Sequence, residues 1–164
     1  MNFNPGFEYR NTLYADLSGS KMVERERCVQ ELKKLPEVKA VTWGYQLLSD
    51  HCSGNNVYNP ETGEEYMNIA DMYYVGPDYH KAFQIPVIEG NVFTPTLTDS
   101  LSLQVMVSRQ FVERMKTLAG WTGSPIGKPV YITEHRAMAT ICGVYEDIHL
   151  GSQVMESHDE RPTV

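Results

Sequence analysis

Apolar residues in this chain change period twice, from the two of a strand to the near-3.6 of a helix, so its fold must combine both element types. In residues 9–17, Leu13, Ala15 and Leu17 alternate with Tyr14 and Asp16, which predicts a half-buried strand. Ser18-Gly19-Ser20 follows as a turn, with Ser20 placed to cap a helix. Over residues 21–35, Met22, Val29, Leu32 and Leu35 recur at near-helical spacing until Pro36 stops them. Residues 38–48 return to a strand pattern through Val38, Ala40, Val41, Trp43, Tyr45 and Leu47, giving a β-α-β unit. The second change comes later. Residues 103–107 read as a buried strand, and Ser108 caps a helix striped by Phe111, Val112, Met115 and Leu118.

Weaker signals fill the rest. Residues 49–63, rich in Asn, Gly, Ser and Pro, read as loop with a hairpin at Pro60-Glu61-Thr62-Gly63. Residues 66–75 predict a strand, and Gly76-Pro77-Asp78 opens a short helix whose inner face is Tyr79 and Phe83. Residues 85–88 are a short apolar stretch ended by Glu89-Gly90, and 94–102 a polar loop. Residues 129–133 and 139–145 predict two antiparallel strands joined at Glu134-His135, and the chain beyond Gly151 is polar. The fold class is α+β. Leu32, Val41, Val107, Phe111, Ile141 and Val144 are the expected core.

Charge and cysteine usage exclude several roles. Fourteen basic residues stand against 21 acidic ones, a net charge of −7, in 164 residues. A nucleic-acid reader needs a basic face to displace phosphate counterions, and an anionic membrane surface attracts basic clusters; the sequence has neither. No run of 18 apolar residues offers a membrane span, and Met1-Asn2-Phe3-Asn4-Pro5-Gly6 is not a signal peptide. Cys28, Cys52 and Cys142 are odd in number and lack CxxC spacing, so at most one pair bridges; Cys28 and Cys142 lie in apolar patterns that suit small core residues.

Catalytic chemistry finds no strong carrier. His51, His80, His135, His149 and His158 make no HxH or HExxH arrangement. Glu146-Asp147-Ile148-His149 offers carboxylates and an imidazole, a combination more often solvated than metal-binding. His51 and Cys52 are adjacent in an extended loop, where neighbours point to opposite faces and cannot share a proton without a special turn. GxSxG, P-loop and GxGxxG patterns are missing. Tyr66, Tyr73, Tyr74 and Tyr79 could form a glycan or peptide platform, or be half-buried on a sheet with wet hydroxyls. The expectation is therefore no catalytic, cofactor-binding or metal-ligating residue and no cofactor.

Seven fragments in register carry a family resemblance: Asn4-Pro5-Gly6-Phe7; Glu31 to Val38; Val75-Gly76-Pro77-Asp78-Tyr79; Phe83 to Gly90 with Phe93; Val107-Ser108 with Phe111; Ser124-Pro125-Ile126-Gly127-Lys128; and Ile141 to His149. Together they resemble the MacB-like periplasmic core domain of FtsX-type ABC transporter permeases, most of all Bacteroidetes versions. The resemblance implies a periplasmic domain of an inner-membrane protein, held between the first and second transmembrane helices. It implies a cytoplasmic ATPase in a separate domain or chain, a dimeric permease, and in some members a periplasmic adaptor, with export or lipoprotein and peptide handling as the task. It also implies a porter-like subdomain of two β-α-β units with a smaller α/β subdomain inserted between them. Residues 7–48 match the first unit, 49–150 the insertion, and 151–164 a polar tail leading to a second unit that is missing. A homodimer pairing across the open edge of the lone unit is a further expectation. The alternative is a secreted glycan- or peptide-binding module using the aromatics between Tyr66 and Tyr79.

Overall fold

The computed structural model describes residues 5–45, 54–76, 78–93, 103–132 and 137–148. In chain order the elements are α1 (Met22–Leu32), β1 (Gly54–Tyr58), β2 (Glu65–Asp71), α2 (Tyr79–Ala82), β3 (Val87–Gly90), β4 (Leu103–Ser108), α3 (Arg109–Leu118), β5 (Pro129–Ile132) and β6 (Ala137–Tyr145).

One six-stranded mixed sheet is organised around β6. Parallel β4 runs along one edge of it, from Leu103 opposite Ala139 to Ser108 opposite Tyr145. The other edge is shared by two antiparallel strands. β5 takes the first half, with Ile132 opposite Ala137, and β3 takes the end, with Val87 opposite Tyr145. β1 continues outward from β5, and β2 pairs with β1.

The predicted strand and helix at residues 103–118 form as β4 and α3. Ser108 ends the strand and caps the helix, its Oγ accepting the Phe111 N–H at 3.1 Å. The apolar stripe Phe111, Val112 and Met115 turns onto the sheet and is buried. Phe111, Met115, Val107 and Ile141 are completely or almost completely buried and centre the core with Val144. Burying each such side chain contributes about 1.5–3 kcal/mol. The predicted hairpin at Pro60 also forms, its Asn59 N–H donating to the Glu64 carbonyl at 2.7 Å.

A smaller second core lies at the end of β6. Tyr79 and Ile85 are buried in it, with Phe7, Phe83, Tyr145 and Ile148 packed around them. α2 ends there in a Schellman motif: the Ile85 N–H reaches back to the His80 carbonyl at 2.8 Å and that of Gln84 to Lys81 at 3.3 Å. Gln84 holds the left-handed position of the motif at φ 52°, where glycine is usual.

The amino-terminal stretch departs from the sequence reading. α1 forms, but residues 9–17 make no strand, and residues 38–45 make only a single bridge, Gly44 to Val75. A strand is defined by a ladder partner, and neither stretch meets one among the described residues. Leu13 is 98% exposed as a result. Leu32 is 39% exposed and Val41 only partly buried, so neither belongs to the core as expected. The cap also falls one residue later than expected, at Lys21 in place of Ser20, whose N–H closes a turn onto the Leu17 carbonyl; the Lys21 N–H bonds Glu24 Oε2 at 2.9 Å. β1, Gly-Asn-Asn-Val-Tyr, replaces part of the expected loop. Residues 46–48, 49–53, Pro77, 94–102, 133–136 and 149–164 lie outside the described residues, including the turn at Glu134-His135.

Candidate functional site

Glu146 and Asp147 leave β6 beside the amino terminus of α3, and both carboxylates are engaged there. Arg109 Nη2 is 2.7 Å from Glu146 Oε1, and Arg109 Nε is 3.2 Å from Asp147 Oδ2. Asp147 Oδ1 also accepts the Gln110 backbone N–H at 2.7 Å. A carboxylate here satisfies a donor that the helix itself leaves open and sits favourably at the positive end of its dipole. The acidic pair, read from the sequence as solvated surface, serves as a helix clamp, and its neighbour in the sequence, His149, lies outside the described residues. Sequence reasoning missed Arg109, since no local spacing links it to residues 37 and 38 positions away. Among the described residues, no group of three or more His, Cys, Asp or Glu side chains could hold a metal ion. His51, Cys52, His135 and His158 are outside the described residues.

The four tyrosines do not make one platform. Tyr66 packs against the main core, while Tyr73 and Tyr79 belong to the second. Tyr74 stands edge-on to Tyr45, ring centroids 6.4 Å apart. Tyr66 does join Trp121 in a shallow groove with Pro60, Glu61, Lys128 and Pro129, where Lys128 Nζ lies 5.5 Å from the indole centroid. A shallow open groove cannot enclose a substrate as small-molecule sites do.

Cys142 donates its thiol to the Val105 carbonyl at 3.3 Å, between β6 and β4. Burial pushes its pKa up, against a smaller lowering by its own backbone, and so favours the unreactive thiol.

The surface that remains is the amino-terminal arm, residues 5–45. Tyr9, Leu13, Tyr14, Val23, Trp43 and Tyr45 are each more than half exposed on it. Large apolar side chains concentrated on one segment are the signature of a contact surface. No helix among the described residues is long and apolar enough to cross a membrane.

A mixed sheet with helix α3 packed on it, and an arm of exposed apolar side chains, defines an α+β domain. The family model for the MacB-like periplasmic core domain matches residues 5–161, and the chain belongs to that family, which places it outside the cytoplasm. It is similar in fold to the periplasmic region of MacB from Actinobacillus actinomycetemcomitans, at 16% identity and a TM-score of 0.52, covering 84% of this chain and 60% of that one. It is also similar to the extracellular domain of the noncanonic ABC-type transporter YknZ from Gram-positive bacteria, at 20% identity and a TM-score of 0.50, covering 76% and 59%. This chain therefore spans about three fifths of the length of each. No curated protein matches it.

Proposed function

We propose that this chain is the periplasmic domain of an ABC transporter permease and passes conformational change between the membrane and periplasmic partners. The family match over residues 5–161 carries this reading. The exposed apolar arm supports it, because a domain that works by contact needs surface to offer. In this reading residues 7–48 open a porter-like subdomain, 49–150 form the inserted one, and 151–164 lead to a second β-α-β unit. Flanking helices hold the domain to the membrane. A second permease copy, a cytoplasmic ATPase chain and a periplasmic adaptor are its partners, and export or lipoprotein and peptide handling is its task. The domain contributes no catalytic, cofactor-binding or metal-ligating residue of its own.

The test uses the whole permease with its ATPase in proteoliposomes. Replacing residues 5–148 by a Gly/Ser linker should abolish coupling of ATP hydrolysis to cargo while membrane insertion persists. Coupled hydrolysis at the unmodified level would overturn the reading.

A further inference from the structure

Separate stretches of the arm meet the same short segment of chain. Phe7 stands edge-on to Phe83, ring centroids 6.3 Å apart, and the Glu8 N–H donates to the Phe83 carbonyl at 2.8 Å. Lys33 Nζ, just past α1, is 3.3 Å from Asp78 Oδ2. The Gly76 N–H donates to the Trp43 carbonyl at 2.8 Å, and the Tyr45 N–H to the Tyr74 carbonyl at 2.9 Å. Trp43 lies across Gly76 so closely that a Cβ there would stand 2.8 Å from the indole Nε1. Gly6, at the near end of the arm, crosses the chain leaving β6, where its Cβ would meet the Asp147 carbonyl oxygen at 2.6 Å.

We propose that residues 74–76 and 78–85 form a joint: the arm is mounted on them, and they open as one unit before the sheet does, so that the arm docks and undocks as a single lever. Three features make the segment weaker than the sheet. Among the described residues its core has two buried members, Tyr79 and Ile85, against twelve in the core that α3 joins. The Lys33–Asp78 pair is 44% exposed on both sides, where water screens the attraction. Gln84 sits at φ 52°, a conformation that an L-residue with a Cβ adopts at a cost and glycine adopts freely. Local opening follows such regions of few buried apolar contacts. The contacts are also linked. A pull on Phe7 loads Phe83 at one end of α2, and Asp78 and Gly76 lie at the other end, so Lys33 and Trp43 are released with it. The inference deepens the transmission reading and rests on it only for the joint's use in transport; the joint itself is a property of this chain.

Hydrogen exchange on the 164-residue chain tests it. The amides of α1, Glu8, Tyr45 and Gly76 should exchange as one group, faster than those of β4 and β6. Gln84→Gly should slow that group by roughly five- to tenfold by removing the left-handed strain, with β4 and β6 unchanged. Phe83→Ala should speed the same group; Gln84→Gly, being stabilising, keeps the test valid if Phe83→Ala unfolds the chain. Exchange of arm and sheet at one common rate, or a Gln84→Gly effect confined to α2, would overturn the joint. Its use is read separately, in the whole permease with its ATPase, by cross-linking Lys33→Cys to Asp78→Cys with a short bis-methanethiosulfonate, each thiolate displacing a sulfinate to form a disulfide that a reductant cleaves. Loss of coupled ATP hydrolysis, reversed when the linker is cleaved, supports the lever. Full coupling with the joint locked overturns its use in transport, even where the exchange result upholds the joint.

Discussion

Asp147 Oδ1 accepts the Gln110 backbone N–H at 2.7 Å, tying the chain beyond β6 to the first turn of a helix 37 positions earlier. That bond fixes the end of the sheet against α3, alongside the Ser108 cap on Phe111. Asp147→Ala should therefore lower stability by about 1–2 kcal/mol, as the loss of a capping acceptor does. Asp147→Asn, which keeps an acceptor oxygen, should lose less. Arg109→Ala should cost under about 1 kcal/mol, because its side chain is 54% exposed. Urea melts of the three variants rank them, and equal midpoints for Asp147→Ala and the parent chain would show that the clamp adds nothing.

Phe111 and Leu32 test the division between core and arm. Phe111 is fully buried and stands edge-on to Trp121, ring centroids 6.3 Å apart. Phe111→Ala should cost about 3–5 kcal/mol and change Trp121 emission. Leu32→Ala, at a 39% exposed position, should stay under about 1 kcal/mol. A denaturant melt gives both values, and comparable losses would place α1 in the core after all.

Gly143 pairs with Gly90 where β3 joins β6, and a Cβ on Gly143 would strike the Asn91 carbonyl oxygen. The neighbour is backbone and cannot swing aside. Gly143→Ala should cost about 1–3 kcal/mol, the range for overpacking a tight site. Thermal unfolding measures it. A neutral result would mean that β3 can shift away without loss.

Cys142 should behave as a hindered thiol. Its raised pKa means that the folded chain holds the thiol proton more tightly than the unfolded chain does. Whatever stability this confers is present below the unfolded value and lost as pH rises above it. In a chain carrying Cys28→Ser and Cys52→Ser, the alkylation rate of Cys142 should reach half-maximum above the ordinary thiol value of about 8.5. A half-maximum at or below that value would contradict the burial argument.

β4, α3, β5 and β6 were legible because their signals are local. Ser108 ends one period and starts another, and Val107, Phe111, Ile141 and Val144 fall on the apolar face that each period defines. The clamp of Arg109 on Glu146 and Asp147 was not legible, because it depends on the parallel pairing of β4 with β6. The scattering of the tyrosines was hidden for a similar reason: neighbours in sequence enter different cores once β2 ends and α2 turns.

By itself, the sequence determined the α+β class, the capped helix α3, the antiparallel pair β5–β6 and the family, since caps, periodicity and ordered motifs act within a few residues or along the chain. Tertiary structure decided the rest. The alternation in residues 9–17 resembled a strand, yet strandedness is conferred by a neighbour, and none of the described residues pairs with it. Conversely, Gly54-Asn55-Asn56-Val57-Tyr58 has a weak strand pattern, yet it became β1 because β5 and β2 present backbone partners on its two edges.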